Sequence, residues 1–179
     1  LSKIEAGRMD ISISEFGIND VRKFADRSFR QLAEQKELQF DVLIDDDVPA
    51  SIVTDQRRVE QILRNLLSNA FKFTHSGKIT LKVHRPSMDY RFSLESLNTE
   101  KDVIAFSVID TGIGIPREKQ KIIFEAFQQA DGSTSRKYGG TGLGLTISRE
   151  IARLLGGEIR VESGVDEGST FTLYLPKEF

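Results

Sequence analysis

Tyr138-Gly139-Gly140-Thr141-Gly142-Leu143-Gly144-Leu145 places four glycines within six positions, directly ahead of a helical pattern with Leu143, Ile147, Ile151 and Leu154 on one face. Glycine lets backbone N–H groups approach an anion closely, and a helix starting there adds unpaired N–H groups and the positive end of its dipole. The combination suits a polyphosphate; the plainer alternative is a loop capped by a helix. A Walker loop would end in Gly-Lys-Ser/Thr, and Leu143-Gly144-Leu145 supplies none of that. A G-x-G-x-x-G dinucleotide fingerprint begun at Gly142 would need a glycine where Ile147 stands. The run belongs to neither common phosphate-binding class, and the rest of the chain has to identify it.

Working outward, the elements mix without the regular alternation of a doubly wound fold. Residues 1–8 read as the end of a helix closing at Gly7, the continuation of one upstream, and a start at Leu1 suggests a piece of something longer. Residues 9–16 alternate as a strand around Ile11 and Ile13, and Asn19 or Asp20 offers an N-cap for a helix to residue 35. Strands are expected at 39–44 and 52–54, and Asp45-Asp46-Asp47 between them is a solvated turn or, alternatively, a cation-binding cluster. Asp55 caps an amphipathic helix to Phe73, with Val59, Ile62, Leu63, Leu66, Leu67 and Ala70 at helical spacing. Strands at 78–85 and 102–109 flank a long polar connection at 86–101, expected to be a mobile surface excursion. Pro116 opens a helix carrying Ile122, Ile123 and Phe127; residues 128–140 are polar and aperiodic. After the glycine run comes a helix ending at Gly156-Gly157, then a hairpin of 158–163 with 169–175. The expected class is α+β: a two-layer sandwich, one sheet covered on one face by helices.

Composition narrows the partners. With 179 residues, 39% hydrophobic and 29% charged, the chain has the make-up of one globular domain with a short appendage. A net charge of −2 argues against nucleic acid or an anionic membrane as partner. The absence of cysteine excludes disulfides and thiolate metal sites and fits a reducing cytosol. No apolar stretch approaches the roughly 18 residues of a membrane span.

Within the capped helix, Gln61, Asn65, Asn69 and Lys72 form one polar stripe beside the apolar face. Asparagine is a poor interior helix former, so two of them one turn apart at a buried margin need a reason. Either their amides satisfy neighbouring backbone groups, or their oxygens ligate a hard cation that bridges phosphates, with Lys72 adding a point charge. Mg²⁺ takes few protein oxygens, which an Asn carbonyl suits. The near-continuous apolar strand 103–109 should be buried on both faces, and it ends in Asp110-Thr111-Gly112-Ile113-Gly114-Ile115-Pro116. A carboxylate there is costly without a donor. An adenine amine would be one, with Gly112 and Gly114 baring backbone to the base; an Asx-turn into the next segment is the alternative. Phe124 to Phe127 reads as a core anchor and hinge for the segment carrying Arg136 and Lys137, which either reach a terminal phosphate or stay solvated. His75 and His84 lack partners at metal spacing.

Together these stretches resemble sensor histidine kinases. Asn65-Leu66-Leu67-Ser68-Asn69-Ala70-Phe71-Lys72-Phe73-Thr74 looks like the family's N box, and Asp110 to Pro116 like its first glycine box. Phe124 to Phe127 resembles the F box, the glycine run the second glycine box, and Gly168-Ser169-Thr170-Phe171 the third. The five occur in the family's order, and Leu1-Ser2-Lys3-Ile4-Glu5-Ala6-Gly7 is similar to the linker where a dimerisation helix ends.

The resemblance implies the Bergerat ATP-binding fold of the GHKL group, with a mixed, mostly antiparallel sheet. Residues 1–9 would end the dimerisation helix and linker, and 10–179 would be the catalytic domain of a two-component, hybrid-type kinase. It implies Mg²⁺ on Asn69, phosphate on Lys72, the adenine amine on Asp110, and an ATP lid over residues 128–140. Catalytic roles would fall to Asn65, Lys72, Arg136 and Lys137. Nucleotide contacts would fall to Asn65, Asn69, Lys72, Phe73, Asp110, Gly112, Gly114, Ile115, Phe127, Gly140, Thr141, Gly142, Leu143, Gly144 and Thr170. Hydrolysing relatives carry a glutamate at Asn65, and an amide is no general base. The expectation is therefore ATP held with Mg²⁺ for transfer to a histidine of an upstream dimerisation domain, and a response-regulator receiver domain served indirectly. The domain would lie in the cytoplasm without membrane contact, in a protein that an inner membrane could anchor.

Two departures bear on this. Gln128 and Gln129 stand where many members place an arginine, leaving Arg136 or Lys137 to supply the charge. Neither Thr74-His75-Ser76 nor Val83-His84-Arg85 resembles a phosphoacceptor box, so the acceptor is expected upstream of Leu1. The competing readings are a nucleotide-binding regulatory module without transfer activity and a gyrase-type ATPase.

Overall fold

Phe29, Phe40 and Phe71 meet in the core of the protein, whose structure, a computed structural model, describes residues 10–124 and 144–179. Phe29 and Phe71 stack with centroids 5.5 Å apart, and Phe40 meets Phe71 edge-on at 5.4 Å. They tie together helix α1 (Ile18–Gln35), strand β2 (Gln39–Ile44) and helix α2 (Gln56–Phe73). Such ring pairs add about 0.5–1.5 kcal/mol to the burial of their area. The expected apolar positions of α2 are all buried, together with Phe71.

The main sheet has five strands in the order β2, β4 (Lys78–His84), β5 (Val103–Asp110), β7 (Gly168–Pro176) and β6 (Glu158–Gly164). Only β2 and β4 run parallel. Period-two alternation gives β5 and β7 an inner face of Ile104, Phe106 and Val108 against Leu175, Leu173 and Phe171. Helices α1, α2 and α4 (Gly144–Leu154) pack on that face, the α+β arrangement expected. Strand β5 is buried on both faces through Val108.

Four local expectations are corrected. The first strand, β1, is Ser14–Gly17 and pairs with β3 (Ser51–Thr54), not with the main sheet. It starts late because β3 is four residues long and the Ser12 amide is taken by the Asp55 carboxylate at 2.8 Å. Neither Asn19 nor Asp20 caps α1: β1 runs straight into it, Gly17 is the cap, and Ile18 N donates to Ala50 O. The helix expected after Pro116 is a run of turns as far as residue 124. On α4, Leu154 is exposed while Ser148, Ile151 and Ala152 turn inward, as does Leu155 just past its end.

The polar excursion is also more ordered than its composition suggests. It contains a short helix, α3 (Glu95–Thr99), and a second cluster on the outer face of the sheet. There Tyr90, Phe92, Leu94 and Leu97 pack on Val103, Ala105 and Tyr174. Glu158 fastens it, its carboxylate accepting from Ser93 N at 3.2 Å and Leu94 N at 2.8 Å. Beside that cluster the outer face is polar: Ser107 Oγ joins Thr172 Oγ1 at 2.8 Å and His84 Nε2 at 2.9 Å. No described helix is long and apolar enough to cross a membrane. Residues 1–9 lie outside the described residues, as does the dimerisation-helix expectation placed on them.

Candidate functional site

Helix α2 carries the polar stripe, and Asp55 sets its start. Asp55 Oδ1 accepts from Arg58 N at 3.1 Å, closing the N-terminus as expected, while Oδ2 holds Ser12 N. The stripe is not uniform. Gln61 is exposed and takes Arg58 Nη1 at 2.9 Å, whereas Asn65, Asn69 and Lys72 are half-buried. Asn65 Nδ2 donates to Ser148 Oγ at 3.0 Å, so its NH₂ group is satisfied by a side-chain hydroxyl and not by a backbone group. Its Oδ1 lies where a Cβ on Gly144 would fall, and the close approach of α4 to Asn65 requires that glycine. The Lys72 amine lies 5.9 Å from the Phe73 ring centroid.

The opposite end of α2 meets the loop after β5. Ile113 N donates to Phe73 O at 3.3 Å, and Thr111 Oγ1 accepts from Lys78 N at 3.0 Å. Asp110 is 8% exposed, and its Oδ1 accepts from Gly112 N at 2.9 Å, the Asx-turn foreseen as an alternative. Burial pushes the Asp110 carboxyl above its usual range, outweighing the lowering by the Gly112 and Ser169 amides. Both glycines of the loop answer first to protein packing, not to a bare surface for a base. A Cβ on Gly112 would overlap Phe73 O, and one on Gly114, at φ +71°, would overlap Gly164 O.

The third motif presents Ser169 to the site side of the sheet. In the β5–β7 register Ser169 stands opposite Asp110, on the inner side with Phe171 and Leu173. Thr170 pairs with Ile109 and shares the outer parity of Thr172 and Tyr174, so the structure does not bring it to Asp110. Alternation from the apolar Phe171, Leu173 and Leu175 would have selected Ser169. Ser169 Oγ lies 2.8 Å from Ser163 Oγ, which also contacts Ile115 N and Gly168 O at 2.8 Å each. Gln120 Nε2 spans the same junction, donating to Ile115 O at 3.0 Å and Ser163 O at 2.8 Å.

These residues fit a purine nucleotide. Among the described residues, a buried carboxylate with no cationic partner stands at one end of α2, and the wholly buried Thr74 Oγ1 beside it has no hydrogen-bond partner. Either group would accept from a base amine or a bridging water. Among the described residues no three His, Cys, Asp or Glu side chains cluster to hold a metal. The amide oxygens of Asn65 and Asn69, one turn apart, suit a hard cation that takes its remaining ligands from phosphate and water.

Thr146 Oγ1 donates to Phe124 O at 2.6 Å, and the Phe124 ring meets Phe171 at 6.3 Å. Phe127, Arg136, Lys137, Gly140, Thr141, Gly142 and Leu143 lie outside the described residues.

A profile of the histidine kinase-, DNA gyrase B- and HSP90-like ATPases matches residues 54–178. The chain is 42% identical over 178 residues to hybrid signal transduction histidine kinase B of Dictyostelium discoideum, covering 98% of this chain and 8% of that protein. It resembles full-length ShkA in complex with AMPPNP with a TM-score of 0.79 and 28% identity, over 98% of this chain and 33% of that one. It also resembles the nucleotide-free catalytic domain of histidine kinase ThkA, with a TM-score of 0.73 and 26% identity, over 94% and 99% of the two chains.

Proposed function

The chain belongs to the histidine kinase-, DNA gyrase B- and HSP90-like ATPase family, and on that footing we propose that it is the ATP-binding catalytic domain of a sensor histidine kinase. It binds ATP and places the γ-phosphoryl group for transfer to a histidine nitrogen on a dimerisation domain. A response-regulator receiver domain is served only afterwards, by the phosphorylated histidine. Relatives named as histidine kinases, and a structural neighbour bound to AMPPNP, support this reading.

The observation that carries it is the placing of Asp110 and Asn65 at opposite ends of one stretch of α2. The helix runs about 12 Å from Asn65 to Phe73, the residue that touches the Asp110 loop. Asp110 accepts from the base, Lys72 faces the phosphates, and Asn69 offers its oxygen toward Mg²⁺, with Asn65 beside it. When bound, Mg²⁺ supplies neutralisation of phosphate charge. Phe73, Gly112, Gly114, Ile115 and Gly144 shape the walls. Phe127, Gly140, Thr141, Gly142 and Leu143 complete the nucleotide contacts, and Arg136 or Lys137 brings a cation to the terminal phosphate. Asn65 cannot take a proton from water as a carboxylate can, so the site favours transfer over hydrolysis.

The test supplies Mg²⁺, γ-labelled ATP and the cognate dimerisation domain in trans. Label on that domain is expected. Tight nucleotide binding without label, or release of free phosphate in its place, would sink the kinase reading.

A further inference from the structure

We propose that Ser163 is a specificity-determining positioning residue: its hydrogen bonds leave Ser169 Oγ only lone pairs to offer beside Asp110, so the base edge read there must carry an amine donor. The proposal rests on the nucleotide-binding reading above and concerns which nucleotide the site prefers.

A hydroxyl has one proton to give and two lone pairs to receive. Ser163 Oγ has three neighbours at 2.8 Å: Ile115 N, Gly168 O and Ser169 Oγ. A carbonyl only accepts and an amide N–H only donates. Ser163 therefore gives its proton to Gly168 O and receives the one from Ile115 N. The third contact is then decided: Ser169 must donate to Ser163. Its proton spent, Ser169 Oγ can only accept from anything else that reaches it.

The register places this hydroxyl opposite Asp110, on the same inner side of the sheet. Two acceptors thus stand together at the end of β5 and β7. An adenine edge, with its exocyclic amine, matches them; the guanine edge, with an oxygen in that place, meets them acceptor to acceptor. Ser169 is 7% exposed, so solvent offers little relief from that mismatch. Gln120 holds the same junction from outside by donating to Ile115 O and Ser163 O, which keeps Ile115 N aimed at Ser163.

Ser163→Ala frees the Ser169 proton to rotate, and the site can then donate as well as accept. The experiment measures Mg²⁺-ATP and Mg²⁺-GTP binding by calorimetry on the wild-type chain, Ser163→Ala, Ser163→Thr and Gln120→Ala, beside their urea unfolding curves. Ser163→Ala should cut the preference for ATP over GTP by roughly tenfold, the worth of one reversed hydrogen bond. Ser163→Thr, which keeps the hydroxyl, should retain the preference. An unchanged ratio in Ser163→Ala, with only lower stability, overturns the proposal while leaving the nucleotide reading intact. A wild-type chain that binds neither nucleotide overturns both. Should Ser163→Ala fail to fold, Gln120→Ala decides, with a reduced ratio expected and an unchanged one fatal.

Discussion

Asn65 on α2 donates its side-chain amide to Ser148 Oγ on α4 at 3.0 Å, across 83 residues of sequence. The bond fixes which way the amide faces, Nδ2 toward Ser148 and Oδ1 toward the first residue of α4. Ser148→Ala should cost ~1 kcal/mol of stability, the net worth of one such bond, and weaken Mg²⁺-dependent ATP binding by letting the amide turn. A double-mutant cycle with Asn65→Ala should show coupling. Additive effects on both stability and binding would mean that the contact does not orient Asn65.

Asp55 does two tasks with one carboxylate, capping α2 and holding the amide of Ser12. Asp55→Ala should destabilise the domain by ~1–2 kcal/mol, toward the upper end for a lost cap. Asp55→Asn, which keeps one acceptor, should recover about half. Denaturant midpoints decide it, and equal losses in the two variants would show that the second oxygen matters as much as the cap.

Most elements were legible because their signals are local. The apolar spacing of α2, its Asp55 cap and the continuous run of β5 each specify an element without reference to the rest of the chain. The site was legible only where one segment held it. Ser148 gave no sign of its tie to Asn65, because a buried serine on a helix looks like any small residue until its partner is placed. Alternation along β7 does put Ser169, and not Thr170, on the side of Asp110, which is itself a local signal. The excursion misled because Tyr90, Phe92, Leu94 and Leu97 are spaced among Asp, Arg and Ser, and only the outer face of β5 and β7 gives them something to pack on.

Glu158 should prove to be what holds that excursion in place. Its carboxylate accepts from Ser93 N and Leu94 N and pairs with Arg160 Nε at 2.8 Å. Glu158→Ala leaves two amides and a guanidinium without their acceptor, a loss of about 2 kcal/mol. Hydrogen exchange at Ser93 and Leu94 should accelerate, while ATP affinity stays within twofold because the excursion lies on the outer face. Unchanged exchange at both amides would assign the anchoring to the aromatic cluster instead.

Asp110 sets up the sharpest pH test. Its carboxyl is raised above the unfolded value because burial outweighs the amide hydrogen bonds. A raised acid titrates in the folded state at higher pH than in the unfolded chain. Its contribution to stability is therefore fully present below the unfolded value of about 3.9 and is lost as pH rises through the folded value. Asp110→Asn has no such proton to lose. Without nucleotide, the variant should gain on wild type as pH rises from the acid range, until the folded carboxyl is fully ionised. With saturating ATP the order should invert, because the carboxylate then has the amine it lacks and the carboxamide accepts less strongly. Urea unfolding from acid to neutral pH, with and without ATP, reads both effects. A stability difference that does not vary with pH would show that the Asp110 carboxylate carries no burial cost, and with it would go the physical reason for placing an adenine amine there.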